Sequence, residues 1–145
     1  MQRLTASEGV ELAYQDSGGD GPPLVLLHGL TTNSHQFDGL QRAGLSDSFR
    51  VITVDLRGRG ESGKPETGYT QADHAADIVR LMETLGLEDV ILGGHSFGGM
   101  LTMYMGAHCP ERLSKLVIMD AALSLAHPAV ADAIQPLLKR LGQTI

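Results

Sequence analysis

The five residues Gly94-His95-Ser96-Phe97-Gly98 are the ones whose types and spacing could do chemistry. They match the pattern G-x-S-x-G, and their surroundings give the match its weight. The apolar run Asp89-Val90-Ile91-Leu92 precedes them, and a helix-forming run from Met100 to Ala107 follows. A strand, a sharp turn and a helix in that order form a nucleophile elbow, which lifts a serine hydroxyl above the end of a sheet. So tight a turn predicts a strained backbone at Ser96, with φ > 0. Gly94 and Gly98 supply the small neighbours that a near collision of strand and helix requires, and Gly99 lets the helix sit close to the sheet. Ser96 Oγ is then a nucleophile at a helix N-terminus, and the Phe97 N–H points to where an oxyanion forms. The plainer alternative is a glycine-rich turn with an incidental serine; the flanking strand and helix weigh against it.

The elements that must hold this turn follow from hydrophobic patterning. Residues 2–5 and 9–15 read as a short antiparallel pair, with Val10, Leu12 and Tyr14 alternating with Glu11, Ala13 and Gln15. Residues 17–23 form a turn rich in Gly and Pro. Leu24-Val25-Leu26-Leu27 and Val51-Ile52-Thr53-Val54 are continuous apolar runs, as in strands buried on both faces. Residues 89–92 and Leu116-Val117-Ile118-Met119 give two more strands. Helices are predicted over 34–44, 71–86, 99–108 and 129–141, the last kinked at Pro136. In the second of them Ala72, Ala75, Ala76, Val79, Leu81, Met82 and Leu85 are weighted to one face, and Gly86 is a good stop. Alternating strands and helices predict an α/β fold with a mostly parallel sheet, flanking helices and right-handed crossovers.

Composition narrows the classes. The 145 residues are one domain's worth at most, and 42% apolar content suits a packed core. A net charge of -6 argues against a nucleic-acid surface, and Arg57, Arg59 and Lys64 are too few to make a basic patch. The single cysteine, Cys109, excludes an intrachain disulfide and reads as a small buried apolar residue before Pro110. No signal peptide opens the sequence and no apolar run is long enough to span a membrane, so a cytoplasmic protein with no membrane partner is expected.

A second glycine pattern competes for attention. Gly58-Arg59-Gly60-Glu61-Ser62-Gly63 matches the dinucleotide fingerprint G-x-G-x-x-G, and Gly58 to Lys64 covers most of a P-loop. Phosphate sites of both kinds need the glycines to open a helix. Here Lys64-Pro65-Glu66-Thr67-Gly68 continues as loop, and Pro65 stands where a P-loop needs Ser or Thr. The segment therefore reads as a turn near the mouth of the site, tied down by Asp55 and Arg57.

With these motifs placed, the chain resembles the α/β-hydrolase fold family. Leu27-His28-Gly29-Leu30 is similar to the family's oxyanion loop after the third strand. Asp55-Leu56-Arg57-Gly58-Arg59-Gly60-Glu61-Ser62 is similar to its D-x-R-G-x-G-x-S loop after the fourth, and Gly94 to Gly98 to its elbow after the fifth. Cys109-Pro110-Glu111-Arg112-Leu113 and Lys115-Leu116-Val117-Ile118 resemble the passage into the sixth strand. The resemblance implies that Ser96 is the nucleophile and that the backbone N–H groups of Leu30 and Phe97 form the oxyanion hole. Gly29, Leu30, His95 and Phe97 would line the substrate site. His28 and His95 are implied to pack around their turns rather than to act as bases. The substrate would be a small molecule, and neither a metal nor an organic cofactor is implied. A carboxylic ester or lactone leads; a C–C bond hydrolase or a cofactor-free haloperoxidase is the alternative. Serine at position 96 disfavours an aspartate-nucleophile dehalogenase or epoxide hydrolase.

The family's order of catalytic residues is Ser, then Asp or Glu, then His. Of the six histidines, His28, His35, His74, His95 and His108 fall outside the region where the family places its base, and His127 lies just past the fourth buried run. The resemblance thus implies that this chain lacks the catalytic histidine. Asp120, at the end of the sixth strand, is a candidate acid, with a plain loop aspartate as the alternative. The match covers residues 1–123, as the N-terminal part of the core, and 124–145 would begin a helical cap. The strand at Leu116 would then be an exposed apolar edge, which invites pairing. The expectation is the N-terminal portion of a longer hydrolase, truncated after about the sixth strand: a shortened chain, a processed chain whose sheet a second chain completes, or a fragment that self-associates. A non-catalytic binding module or an assembly module on the same fold stays open beside the hydrolase.

Overall fold

The computed structural model describes residues 1–121. Six strands form one sheet: β1 (Gln2–Thr5), β2 (Glu11–Asp16), β3 (Pro23–Leu27), β4 (Arg50–Val54), β5 (Val90–His95) and β6 (Leu113–Met119). Their spatial order is β1-β2-β4-β3-β5-β6. β2 pairs antiparallel with both β1 and β4, while β4, β3, β5 and β6 run parallel. The expected mostly parallel sheet is therefore present. The predicted helix at 129–141, His127 and the cap beginning at 124 lie outside the described residues.

The period-2 alternation of the strands sorts their side chains between two cores. Val25, Leu27, Ile52, Val54, Val90 and Leu92 face a layer made by α2 (Gln71–Thr84) and α3 (Phe97–His108), which contribute Ile78, Leu81, Met82, Leu101 and Met105. Leu24, Leu26 and Val51 point the other way, onto Phe37. The continuous apolar runs are thus explained: both faces are covered, and Thr53 is the one polar residue of the runs at 24–27 and 51–54, itself fully buried. Ala13, expected on the outer face of β2, is also fully buried.

α2 begins with a capping box. Thr70 Oγ1 accepts the Asp73 N–H at 3.2 Å and the Asp73 carboxylate accepts the Thr70 N–H at 2.8 Å. It ends at Thr84, and beyond the cap Leu85 the φ of 62° at Gly86 lets the Leu87 N–H donate to Met82 O at 2.8 Å and the Gly86 N–H to Glu83 O at 3.1 Å.

Four sequence expectations are corrected. The helix over 34–44 is a 3-10 turn, Ser34–Phe37, followed by the five-residue α1 (Asp38–Arg42). The Asn33 side chain caps it at His35 N, and Gly44, at φ 94°, marks where the chain turns away. The buried face of α2 is His74, Ala75, Asp77, Ile78, Leu81 and Met82, with Ala72 and Ala76 exposed. The stripe is rotated because two polar residues, His74 and Asp77, are needed inside to receive arginines of the loop after β4. β5 runs on through both glycines to His95, and α3 starts at Phe97, so a single residue makes the elbow. Cys109 is half-buried at the end of α3 rather than buried.

One buried ion pair ties three segments together. Arg57 is fully buried and Asp77 is 1% exposed. Arg57 Nε donates to Asp77 Oδ2 at 2.6 Å and Nη2 to Oδ1 at 2.8 Å. Arg57 Nη2 also reaches Ser7 Oγ at 2.7 Å and Nη1 reaches Gly68 O at 2.5 Å. Asp77 Oδ1 accepts in turn from the Ser7 N–H and hydroxyl. Removing Asp77 leaves the buried Arg57 charge with only the exposed Glu8 carboxylate, 3.5 Å from Nη1, as a counter-charge, and breaking a buried pair in this way costs about 3–5 kcal/mol. Asp77→Ala is expected to lower the unfolding free energy by about that amount in urea denaturation; a loss within the range of exposed pairs, under about 1 kcal/mol, would show that the pair is not an anchor.

Candidate active site

Ser96 sits between β5 and α3 with φ 53° and ψ −114°. The positive φ expected of the elbow is present, a conformation that costs a non-glycine residue about 1–3 kcal/mol. Two backbone bonds hold it there: the Ser96 N–H donates to Met119 O at 3.0 Å and Ser96 O accepts the Met100 N–H at 3.0 Å. Ser96 is the N-cap of α3, yet its side chain makes no capping bond. The hydroxyl is therefore left for other work. The glycines act by close approach. A Cβ on Gly94 would overlap the Gly98 carbonyl, and one on Gly98 would overlap the Leu27 carbonyl and stand 2.8 Å from His28 O. Phe97 is the first residue of α3, so its N–H has no partner within the helix and points out at the N-terminus.

The loop after β3 is fixed by its histidine. His28 is fully buried. Its Nε2 lies 3.0 Å from the Leu56 backbone N–H, which can only donate, so Nδ1 carries the proton and donates to Gly29 O at 2.7 Å. Burial pushes its pKa down to about 4. His28 is thus a neutral, fully engaged imidazole. The Gly29 N–H donates to Gln36 Oε1 at 3.0 Å, and Leu30 O accepts from Arg59 Nε at 2.9 Å.

His95 is half-buried, and its Nδ1 is shut off from solvent with no hydrogen-bond partner among the described residues. That atom lies against Gly29: a Cβ there would be 3.2 Å from it. The loop and the elbow are therefore in contact, which brings Gly29, Leu30, His95, Ser96 and Phe97 into one region. Asp120 is exposed at the end of β6, with φ 47°, directly after the residue whose carbonyl pins Ser96. None of the five described histidines hydrogen-bonds Ser96. His35 pairs with Asp38 at 3.0 Å on the surface, and the exposed His108 lies against the Tyr104 ring.

The glycine loop after β4 folds back on itself instead of opening a helix. Asp55 accepts the Ser34 N–H at 2.8 Å and the Glu61 N–H at 2.7 Å. Ser62 Oγ donates to Asp55 O at 2.5 Å and accepts the Ala13 N–H at 2.9 Å. Arg57 enters the ion pair with Asp77. The tie expected of Asp55 and Arg57 is thus visible, and a phosphate cradle is not. Gln36, Arg59, His74 and Asp77 escaped the sequence reading. No spacing signal could have found them, because each gains its meaning from a loop or helix distant in sequence.

His74, 1% exposed, donates from Nδ1 to Thr70 O at 2.9 Å, and burial pushes its pKa down to about 4. His28 and His74 together give a pH dependence of definite sign. Each has a folded pKa below its ordinary 6.5, so below that pH the unfolded chain binds protons that the folded one refuses. Stability is therefore expected to fall as pH falls from about 6.5 towards 4, by roughly 3 kcal/mol per imidazole over the window. Urea unfolding at pH 7 and pH 4.5 reads this directly. His74→Gln is expected to remove about half of the slope; an unchanged slope would show that His74 is not one of its sources.

Comparison with known proteins places this geometry. The alpha/beta hydrolase fold family matches residues 22–144. A 2-(acetamidomethylene)succinate hydrolase from Mesorhizobium japonicum is 43% identical over 102 residues, which span 70% of this chain and 36% of that protein. A non-heme chloroperoxidase from Streptomyces lividans is 37% identical over 123 residues, 83% of this chain and 45% of the relative. Among solved structures, a thermophilic esterase from Thermogutta terrifontis superposes with a TM-score of 0.86 at 33% identity, covering 97% of this chain and 53% of its own. The enol-lactonase from Burkholderia xenovorans superposes with a TM-score of 0.78 at 28% identity, covering 93% and 58%. The chain thus spans about half, or less, of the length of these relatives. With the family match over residues 22–144, the strand order and the one-residue turn at Ser96 taken together, the chain belongs to the alpha/beta hydrolase fold family.

Proposed function

We propose that this chain carries the nucleophile-bearing part of a serine hydrolase that acts by acyl transfer on a small carboxylic ester or lactone. The observation that carries the proposal is Ser96: a strained, uncapped serine in a one-residue turn at the start of α3. In this reading Ser96 Oγ attacks the carbonyl carbon and passes its proton to a histidine base outside the described residues. The tetrahedral oxyanion is received by the Leu30 and Phe97 N–H groups. Collapse expels the alkoxide, which takes that proton, and leaves an acyl-serine. Water then attacks the acyl carbon, losing a proton to the base, and the acid departs as the proton returns to Ser96. Asp120 is the candidate acid that orients the base, and Gly29 and His95 border the substrate beside the oxyanion pair. The esterase and enol-lactonase neighbours support this substrate class. The chloroperoxidase relative supports a second reading, a cofactor-free haloperoxidase built on the same serine.

A further proposal concerns assembly. Leu116, Val117 and Ile118 on β6 are 41%, 43% and 47% exposed. Among the described residues β6 is an edge strand, and apolar residues so exposed there favour continuation of the sheet, for which self-association is the testable form. Light scattering across a hundredfold dilution checks it; a monomer at every concentration would exclude self-association.

Treatment of the purified chain with a fluorophosphonate, read by intact mass, tests the chemistry. Where a histidine base reaches Ser96, from this chain or from a partner copy, the expected result is a single adduct that disappears in Ser96→Ala. A folded chain that takes no label would overturn acyl transfer by this polypeptide on its own.

A further inference from the structure

The two proposed oxyanion donors come from different parts of the fold. Leu30 lies in the loop after β3 and Phe97 opens α3. Donors of this kind act only if they are aimed before charge develops on the substrate. Phe97 is held by the helix it begins. Leu30 belongs to no strand or helix: His28 Nδ1 holds the Gly29 carbonyl of the peptide that carries the Leu30 N–H, and the peptide on the other side of Leu30 needs an anchor of its own.

One side chain touches both. Arg59 is 7% exposed, and its Nε donates to Leu30 O at 2.9 Å. Its guanidinium carbon lies over the Phe97 ring, 5.2 Å from the centroid. Nη1 donates to Arg57 O at 2.9 Å and to His74 Nε2 at 3.2 Å. The second of these bonds is set by the tautomer of His74, whose Nδ1 proton goes to Thr70 O. The His74 ring also meets Phe97 edge-on, with centroids 5.1 Å apart and planes at 71°. Arg59 is thereby clamped by the backbone of its own loop and by α2, while its contacts with Leu30 O and the Phe97 ring reach the proposed oxyanion pair. Arg57, two residues earlier, differs: its side chain meets Ser7, Glu8, Gly68 and Asp77, none of them in the site.

We infer that Arg59 is a positioning residue for the oxyanion hole, holding Leu30 and Phe97 in register through one planar guanidinium. The inference rests on the assignment of those two donors under the proposed function. A lysine could supply the charge but not donors fixed at two angles. Burial also opposes the charge on Arg59, lowering its pKa, so the site carries a cation where solvation gives it little help.

The test uses the full chain and two variants, Arg59→Met and Arg59→Lys, with two readouts. In the first, backbone amide resonances of 15N-labelled protein are compared. Those of Leu30 and Phe97 are expected to shift in both variants, while those of Val25 and Ile52 in the core stay in place. In the second, fluorophosphonate inactivation is split into reagent binding and maximal rate. The maximal rate is expected to fall about tenfold to a hundredfold, with binding changed less than about twofold, and Arg59→Lys to restore only part of the loss. Unmoved Leu30 and Phe97 resonances would overturn the inference, as would a loss confined to binding. An unmodified chain that takes no label would count against acyl transfer, and the amide resonances would then decide on Arg59 by themselves. If Arg59→Met does not fold, Arg59→Lys carries the comparison.

Discussion

A single residue separates the last strand position, His95, from the first helical one, Phe97. The chain has to reverse from sheet to helix within that residue, and the rest of the site is arranged around the compression. The backbone at Ser96 is forced to positive φ, and the start of α3 is pressed so close to β3 and β5 that neither Gly94 nor Gly98 has room for a Cβ. A strained residue of this kind persists only when its surroundings over-determine it. Here the constraint comes from β6, through the Met119 carbonyl, and from α3, through the Met100 N–H. The same compression aims the first N–H of α3 outward beside the Ser96 hydroxyl, so strain, hydroxyl and donor have one geometric origin.

The loops around the elbow are held by buried polar groups with nearly complete sets of partners. His28 spends both ring nitrogens on backbone, Asp55 accepts from two loop N–H groups, and Ser62 joins β2 to the end of β4. Such groups are costly when unpaired and stabilising when paired, so they specify one conformation for segments that have no ladder of their own. Burial keeps His28 and His74 neutral, which suits structural partners and leaves them poor bases near neutral pH.

The loop after β4 divides its work between two arginines. Arg57 points down into the molecule and joins α2 to the N-terminal turn through Asp77 and Ser7. Arg59 points towards the elbow and touches Leu30 and Phe97. One loop thus connects the helix layer that stabilises the fold with the residues that border Ser96. That connection explains why α2 carries Asp77 and His74 on a face that hydrophobicity alone would have made apolar.

The elbow, the four parallel strands and the family were legible in the sequence because each rests on local rules. Glycine spacing reports a turn with no room for side chains, and unbroken apolar runs report strands covered on both faces. The dismissal of the second glycine pattern was equally local, since Pro65 and the loop beyond it deny a helix N-terminus. Other features could be decided only by tertiary structure. The rotation of the α2 stripe, the tautomer of His28, the contact of His95 with Gly29 and the reach of Arg59 all depend on partners far away in sequence. A hydrogen bond or an ion pair has no periodicity along the chain. Its energy comes from where burial leaves a donor facing an acceptor, and that is settled only when the layers pack.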